Sequence, residues 1–226
     1  MPSRPHLAVK LARQATPDDL AARLRDIYGV QGGKGKRVEV ELKAGERAQL
    51  GVTNTKGLTV AEKSWIWELF ESNMKALYES SAGGYDPAEK RTELFHAESR
   101  FLLLYPSPSA ASTAEKAANP LGYCIFRFDT EETDSEDDNE LCDVAYSYEL
   151  QVDAAAQGRG AGKALMDALE RLAKAYKMDK TMLTVFKHNK QAVGFYEKTG
   201  YDKDEIDPSV YGVDDVDYMI LSKDCS

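Results

Sequence analysis

Apolar residues recur at helical spacing from Thr59 to about Tyr78. Trp65, Ile66, Leu69, Phe70, Met74 and Leu77 fall on one face there, which predicts a helix with a buried side. A second helix is expected from Thr16-Pro17-Asp18-Asp19 to Tyr28, because a hydroxyl cap, a proline and two acids open it and Gly29 closes it. Gly83-Gly84-Tyr85-Asp86-Pro87 breaks the long helix, and a short one is expected over 88–96. Strand-like runs cover 101–105, 122–128, 141–152, 181–186 and 218–221. Leu165, Leu169, Leu172, Ala173 and Tyr176 share one face of another helix, and 189–198 reads as a helix closed by Gly200. Residues 32–37 and 106–119 are polar or small and read as a linker and a loop. No repeat is visible. The order is α+β, with a strand–glycine loop–helix–strand unit at its centre.

A chain of 226 residues is long enough for one substantial core. Its longest apolar runs fall far short of a bilayer's thickness, and the first thirty residues lack a secretory signal, so no membrane partner is expected. Three cysteines without metal-ligand spacing suit free thiols, and with three histidines no metal site is expected. The charge is uneven. Residues 1–45 carry nine Lys or Arg against five acids, whereas no basic residue occurs from Phe128 to Gly158, where eleven acids accumulate. That region repels phosphate, which argues against direct nucleic-acid binding and for a cationic partner; a solvated acidic loop is the plainer alternative.

Residues 157–162 read Gln-Gly-Arg-Gly-Ala-Gly between a strand and a helix. Glycines there leave backbone N–H groups bare at a helix N-terminus, which suits a pyrophosphate, although a flexible turn would carry the same glycines. Further along stand Asn189, Ala192, Phe195, Tyr196, Lys198, Gly200 and Tyr201. Together the two segments resemble the paired coenzyme A signatures of the GNAT acetyltransferases. That resemblance implies a GNAT fold: a mixed central sheet flanked by helices, with an additional N-terminal helix. It also implies a helical, basic extension over 1–58 packing on an acetyltransferase domain over 59–226.

The segments Phe126-Arg127-Phe128-Asp129, Tyr146 to Gln151 and Met182 to Asn189 look like those of the NatD-type Nα-acetyltransferases. That family acetylates the α-amino group of histones beginning Ser-Gly-Arg-Gly. The resemblance implies acetyl-CoA as cosubstrate, histone tails as partners, a monomer, and work in nucleus and cytoplasm. Where the family carries a tryptophan near the pocket this chain has Gly83, with Tyr85 two residues on. Acetyl-CoA would be held by Leu150, Gln151, Val152, Gly158, Arg159, Gly160, Ala161, Gly162, Lys163, Thr184 and Asn189; Asn189 would also cap its helix. A side chain at Gly160 or Gly162 is expected to block the pyrophosphate.

The reaction needs a base, and Glu149 is the candidate, with Tyr148 beside it. Neighbours on a strand face opposite ways, so both reach one groove only across a bulge. Tyr78, Tyr146, Tyr148 and Tyr218 would line the peptide groove, Thr130 would join them, and Asp129 and Glu131 would meet a substrate arginine. Two other readings remain at this point: a lysine or small-amine acetyltransferase, and a non-catalytic acidic histone-binding protein.

Overall fold

A computed structural model of the protein describes residues 6–30, 35–107, 119–133 and 141–225. The tip of the acidic loop (134–140) and most of the expected 106–119 loop lie outside these. In chain order the elements are α1 (Leu7–Gln14), α2 (Pro17–Ile27), β1 (Arg37–Glu41), β2 (Arg47–Asn54), α3 (Val60–Glu79), α4 (Pro87–Leu94), β3 (Arg100–Pro106), β4 (Gly122–Glu132), β5 (Leu141–Val152), α5 (Ala161–Ala175), β6 (Lys180–Phe186), α6 (Lys190–Lys198), β7 (Asp202–Lys203) and β8 (Tyr218–Asp224). The eight strands form one mixed sheet in the order β1-β2-β3-β4-β5-β6-β8-β7. Only β5–β6 is parallel; the other pairs are antiparallel.

The helices start where their local chemistry says. Thr16 Oγ1 accepts from Asp19 N while the Asp19 carboxylate reaches back to Thr16 N, and Thr59 and Glu62 repeat this reciprocal cap on α3. Two apolar cores result, one on each face of the sheet. α1, α2 and α5 cover a core that includes Phe126, Phe128, Leu165 and Leu169; α3 and α4 cover one built on Ile66, Phe70, Phe101 and Tyr123.

The sequence reading leaves residues 37–54 in a linker and extension, yet they form β1 and β2, and β2 pairs with β3 along seven positions. The sheet therefore runs across the expected division at residue 58. In β1, Val38 and Val40 are buried between exposed Arg37, Glu39 and Glu41, a period-two pattern only five residues long. α1 is also additional to the expected helices, and tertiary contacts hold it. His6 Nδ1 lies 2.7 Å from Asp143 Oδ1, and Arg13 Nε donates to Phe128 O at 2.9 Å. Arg100 Nη2 donates to Arg13 O at the end of α1, at 2.6 Å.

Two irregularities shape the middle of the sheet. β5 and β6 pair only over Val144–Ser147 and Lys180–Leu183, although β5 stays paired to β4 as far as Val152. Beyond Ser147 the two strands part. The second irregularity is a register shift on β5: Ser147 faces Phe126 and Glu149 faces Ile125, so Tyr148 is the extra residue of a bulge.

Candidate active site

The parting of β5 from β6 opens a cleft of about 1220 Å³, walled by α3, α4, β5, β6, α6 and the start of α5. At one end lies the glycine loop. The N–H groups of Gly158, Arg159, Gly160, Ala161, Gly162 and Lys163 donate to no acceptor among the described residues, and the first helical bond there runs from Ala164 N to Gly160 O. They gather at the N-terminus of α5, where the helix dipole adds to their pull on an anion. Next to them, the β6-facing edge of β5 from Tyr148 to Val152 has lost its strand partner, which leaves main chain for an extended ligand. A pyrophosphate joined to an amide-bearing arm fits this donor set.

The glycines divide this work differently from the expectation. Gly158 (φ +74°) faces open space. Gly160 adopts φ +96°, and a Cβ there would stand 3.0 Å from Lys43 N, so its missing side chain makes room for the 43–45 turn rather than for a ligand. At Gly162 a Cβ would make ordinary contact with Phe195 at 3.5 Å. Lys43 N donates to Arg159 O at 2.9 Å. The Arg159 guanidinium pairs with Glu46 and donates to Ala155 O, and so lies outside the cleft lining. Lys43 lines the cleft instead, a cation the sequence reading missed. Lys163 pairs with Asp167 one turn along α5. Thr184 and Asn189 also line the cleft; the Asn189 side chain accepts from Ala192 N at 3.2 Å and caps α6.

The other end is built from side chains. The bulge turns Tyr146, Tyr148 and Glu149 to the same side, where all three line the cleft. Glu149 is 7% exposed. Gln151 Nε2 donates to its Oε1 at 2.5 Å, and Asn73 Nδ2 donates to Gln151 Oε1 at 2.8 Å. Lys90 Nζ of α4 lies 3.5 Å from Glu149 Oε2 and 2.9 Å from Glu93 Oε1. Burial lifts the Glu149 carboxyl above its ordinary pKa, while the Lys90 ammonium and the Gln151 amide pull the other way. Lys90 is also buried, at 7% exposed. Burial favours its neutral form, but Glu149, Tyr78 and Glu93 outweigh that and hold it protonated.

The tyrosines differ in their fixings. Tyr146 Oη and Thr184 Oγ1 are 2.6 Å apart, and burial pushes the phenol up to about 12. Arg127 stacks 4.0 Å from the Tyr148 ring centre and ties it to α4 by donating to Glu93 O. Tyr78 packs edge-on to Phe186 at 4.9 Å and near Tyr85, whose Oη donates to Glu71 Oε1 at 3.1 Å. Tyr196 also lines the cleft, and burial holds its phenol neutral. Glu131 lines the rim, and burial followed by the nearby charges of Asp129 and Glu132 raises its carboxyl. Asp129, Thr130 and Tyr218 lie outside the lining. Asp129 is already paired with Arg13 of α1, Thr130 N donates to the Asp129 carboxylate, and Tyr218 pairs with Phe186 across β8 and β6.

Comparison with known proteins bears on this arrangement. Residues 66–201 match the family described as "Acetyltransferase (GNAT) family". Three solved structures share the fold. Arabidopsis thaliana NAA60 in complex with a bisubstrate analogue is 12% identical, over 77% of this chain and 97% of that one, with a TM-score of 0.55. The GNAT domain of S. lividans PAT is 15% identical over 86% and 99%, also at 0.55. The PaiA N-acetyltransferase from Thermoplasma acidophilum in complex with coenzyme A is 14% identical over 77% and 98%, at 0.50. At these identities the likeness speaks for fold alone.

Proposed function

This chain belongs to the GNAT acetyltransferase family and is an acetyl-CoA-dependent acetyltransferase, and from that premise we propose that its acceptor is the α-amine of a basic protein tail of the NatD type, beginning Ser-Gly-Arg-Gly. The observation that carries this reading is the acceptor end of the cleft. There a bulge sets Glu149 beside two tyrosines, with Glu131 at the rim. Histone tails are the partners this chemistry suits, and nucleus and cytoplasm are the compartments in which it would meet them.

The bare amides of Gly158–Lys163 would hold the nucleotide end of the thioester, the free edge of β5 would take its arm, and Lys43 would add positive charge near the phosphates. The α-amine enters between Tyr146 and Tyr148. Its conjugate acid has a pKa of about 7.7–8.0, so a modest base suffices to free the nucleophile. Glu149 takes that proton directly or through one water. The nitrogen attacks the thioester carbon, the C–N bond forms and the C–S bond breaks; the proton that the acylated nitrogen then sheds passes through the Tyr196 hydroxyl to the departing thiolate, so the phenol ends neutral. Because burial raises the Glu149 carboxyl, its basic form is lost as pH falls through a midpoint above the usual carboxylate value.

Incubation with acetyl-CoA and a Ser-Gly-Arg-Gly peptide, followed by mass spectrometric location of the acetyl group, tests the reading. Label on the α-amine is expected. Label on lysine ε-amines alone would assign a lysine acetyltransferase, and histone binding without turnover would assign a binding protein.

A further inference from the structure

The Lys90 side chain is out of place on general grounds. Lysine is almost never fully buried without a partner, and taking an ammonium from water costs several kcal/mol. This one lies in the cleft floor, over the rings of Tyr78 at 5.0 Å and Phe70 at 5.4 Å, with Glu149 at 3.5 Å and Glu93 at 2.9 Å. α4 has two buried positions, Lys90 and Leu94, one helical turn apart. An apolar residue at 90 would complete that face without desolvating a charge.

We propose that Lys90 is a positioning residue for acetyl transfer, whose buried ammonium keeps Glu149 anionic and turned toward the acceptor amine. This rests on Glu149 being the base, as in the reading above. The groups around Glu149 decide the sign. Lys90 on α4 is the cation within reach. Glu93 on α4 adds a negative charge, and Tyr78 on α3, Tyr123 on β4 and Tyr196 on α6 are neutral phenols whose own ionisation the carboxylate opposes. Gln151 contributes a dipole through its amide. Without Lys90, the carboxylate keeps a single neutral donor in a buried site, and a proton becomes its cheapest partner.

The charges of Lys90 and Glu93 act on Glu149 in opposite directions, which supplies the test. An opposite charge within about 4–6 Å shifts a carboxyl by roughly 1–3 pH units. Lys90→Met should therefore move the acid limb of the kcat/KM profile upward by about one unit or more, with activity recovered at higher pH. Lys90→Arg should hold the limb near its original place, and Glu93→Gln should move it downward. A loss of packing would not produce two shifts of opposite sign. An acid limb unmoved by Lys90→Met, or displaced the same way by Lys90→Met and Glu93→Gln, would overturn the proposal.

A second readout needs no acceptor. In protein carrying 13C-carboxyl glutamate, with the Glu149 resonance assigned through Glu149→Gln, the Glu149 titration should move upward in Lys90→Met. An unmoved titration refutes the role of Lys90 whatever the enzyme acetylates. A moved titration together with an unlabelled Ser-Gly-Arg-Gly peptide would leave Lys90 in its role and remove only the proposed acceptor.

Discussion

The two ends of the cleft are made of different material. The end proposed to hold the nucleotide is main chain: six N–H groups without an acceptor among the described residues, a helix start and an abandoned strand edge, set by glycine and by the parting of β5 from β6. The acceptor end is side chain: Glu149, Lys90, Tyr78, Tyr146 and Tyr148 converge on it from α3, α4 and β5. A backbone site depends on local conformation and tolerates side-chain change that leaves the turn intact. A side-chain site depends on tertiary placement, so single substitutions should strike chemistry there before they strike binding.

The largest expected effect belongs to the acceptor end. Glu149→Gln should lower kcat by about a hundred- to ten-thousandfold, while the KM for acetyl-CoA changes little. A comparable loss in acetyl-CoA affinity would erase the distinction between the ends. Steady-state kinetics with each substrate varied in turn reads both.

The nucleotide end should instead respond through the backbone. Gly160→Ala forces a left-handed residue at a cost of roughly 1–2 kcal/mol, and adds a 3.0 Å approach to Lys43 N. Gly158→Ala carries the strain without that contact and should be less destabilised in thermal or urea unfolding. Equal losses at the two glycines would remove the packing role assigned to Gly160.

Lys43→Ala should raise the KM for acetyl-CoA by no more than about fivefold at an exposed site, with kcat kept. A fall in kcat alone would place Lys43 in the chemistry instead. The smallest effect is at the rim. Arg13 occupies Asp129, so Arg13→Ala should improve the KM of an arginine-bearing peptide by about twofold, within the range of an exposed ion pair. An alanine variant of that peptide should not respond, and equal improvement in both would rule out a contact between Asp129 and the substrate arginine.

The same division explains what the sequence made legible. Glycine marks strained turns, so the loop at 157–162 stands out, and reciprocal caps mark α2 and α3. The β5 strand is long enough to read from end to end, and the need for a bulge follows from wanting Tyr148 and Glu149 in one groove. β1 is harder to read because five alternating residues in a lysine- and glycine-rich stretch carry little periodic signal, whereas in β2 the alternation of buried Ala48, Leu50 and Val52 is the signal that the sequence reading missed. α1 forms through distant partners, Asp143, Phe128 and Arg100. Lys90 sits within Glu89-Lys90-Arg91, which reads as a solvated face. Its sequence signal is its spacing, four residues before buried Leu94 on the inner side of α4. Arg159 is the converse, a cation beside the glycine loop whose charge is spent on Glu46.

The most direct test of the whole arrangement is a crystal structure with a coenzyme A–acetyl–peptide conjugate carrying Ser-Gly-Arg-Gly. The pyrophosphate should accept from main-chain N–H groups of residues 158–163, and the peptide α-nitrogen should lie within hydrogen-bond reach of Glu149, directly or through one water. A conjugate whose acetylated nitrogen sits away from Glu149, or whose phosphates bypass the glycine loop, would contradict the account.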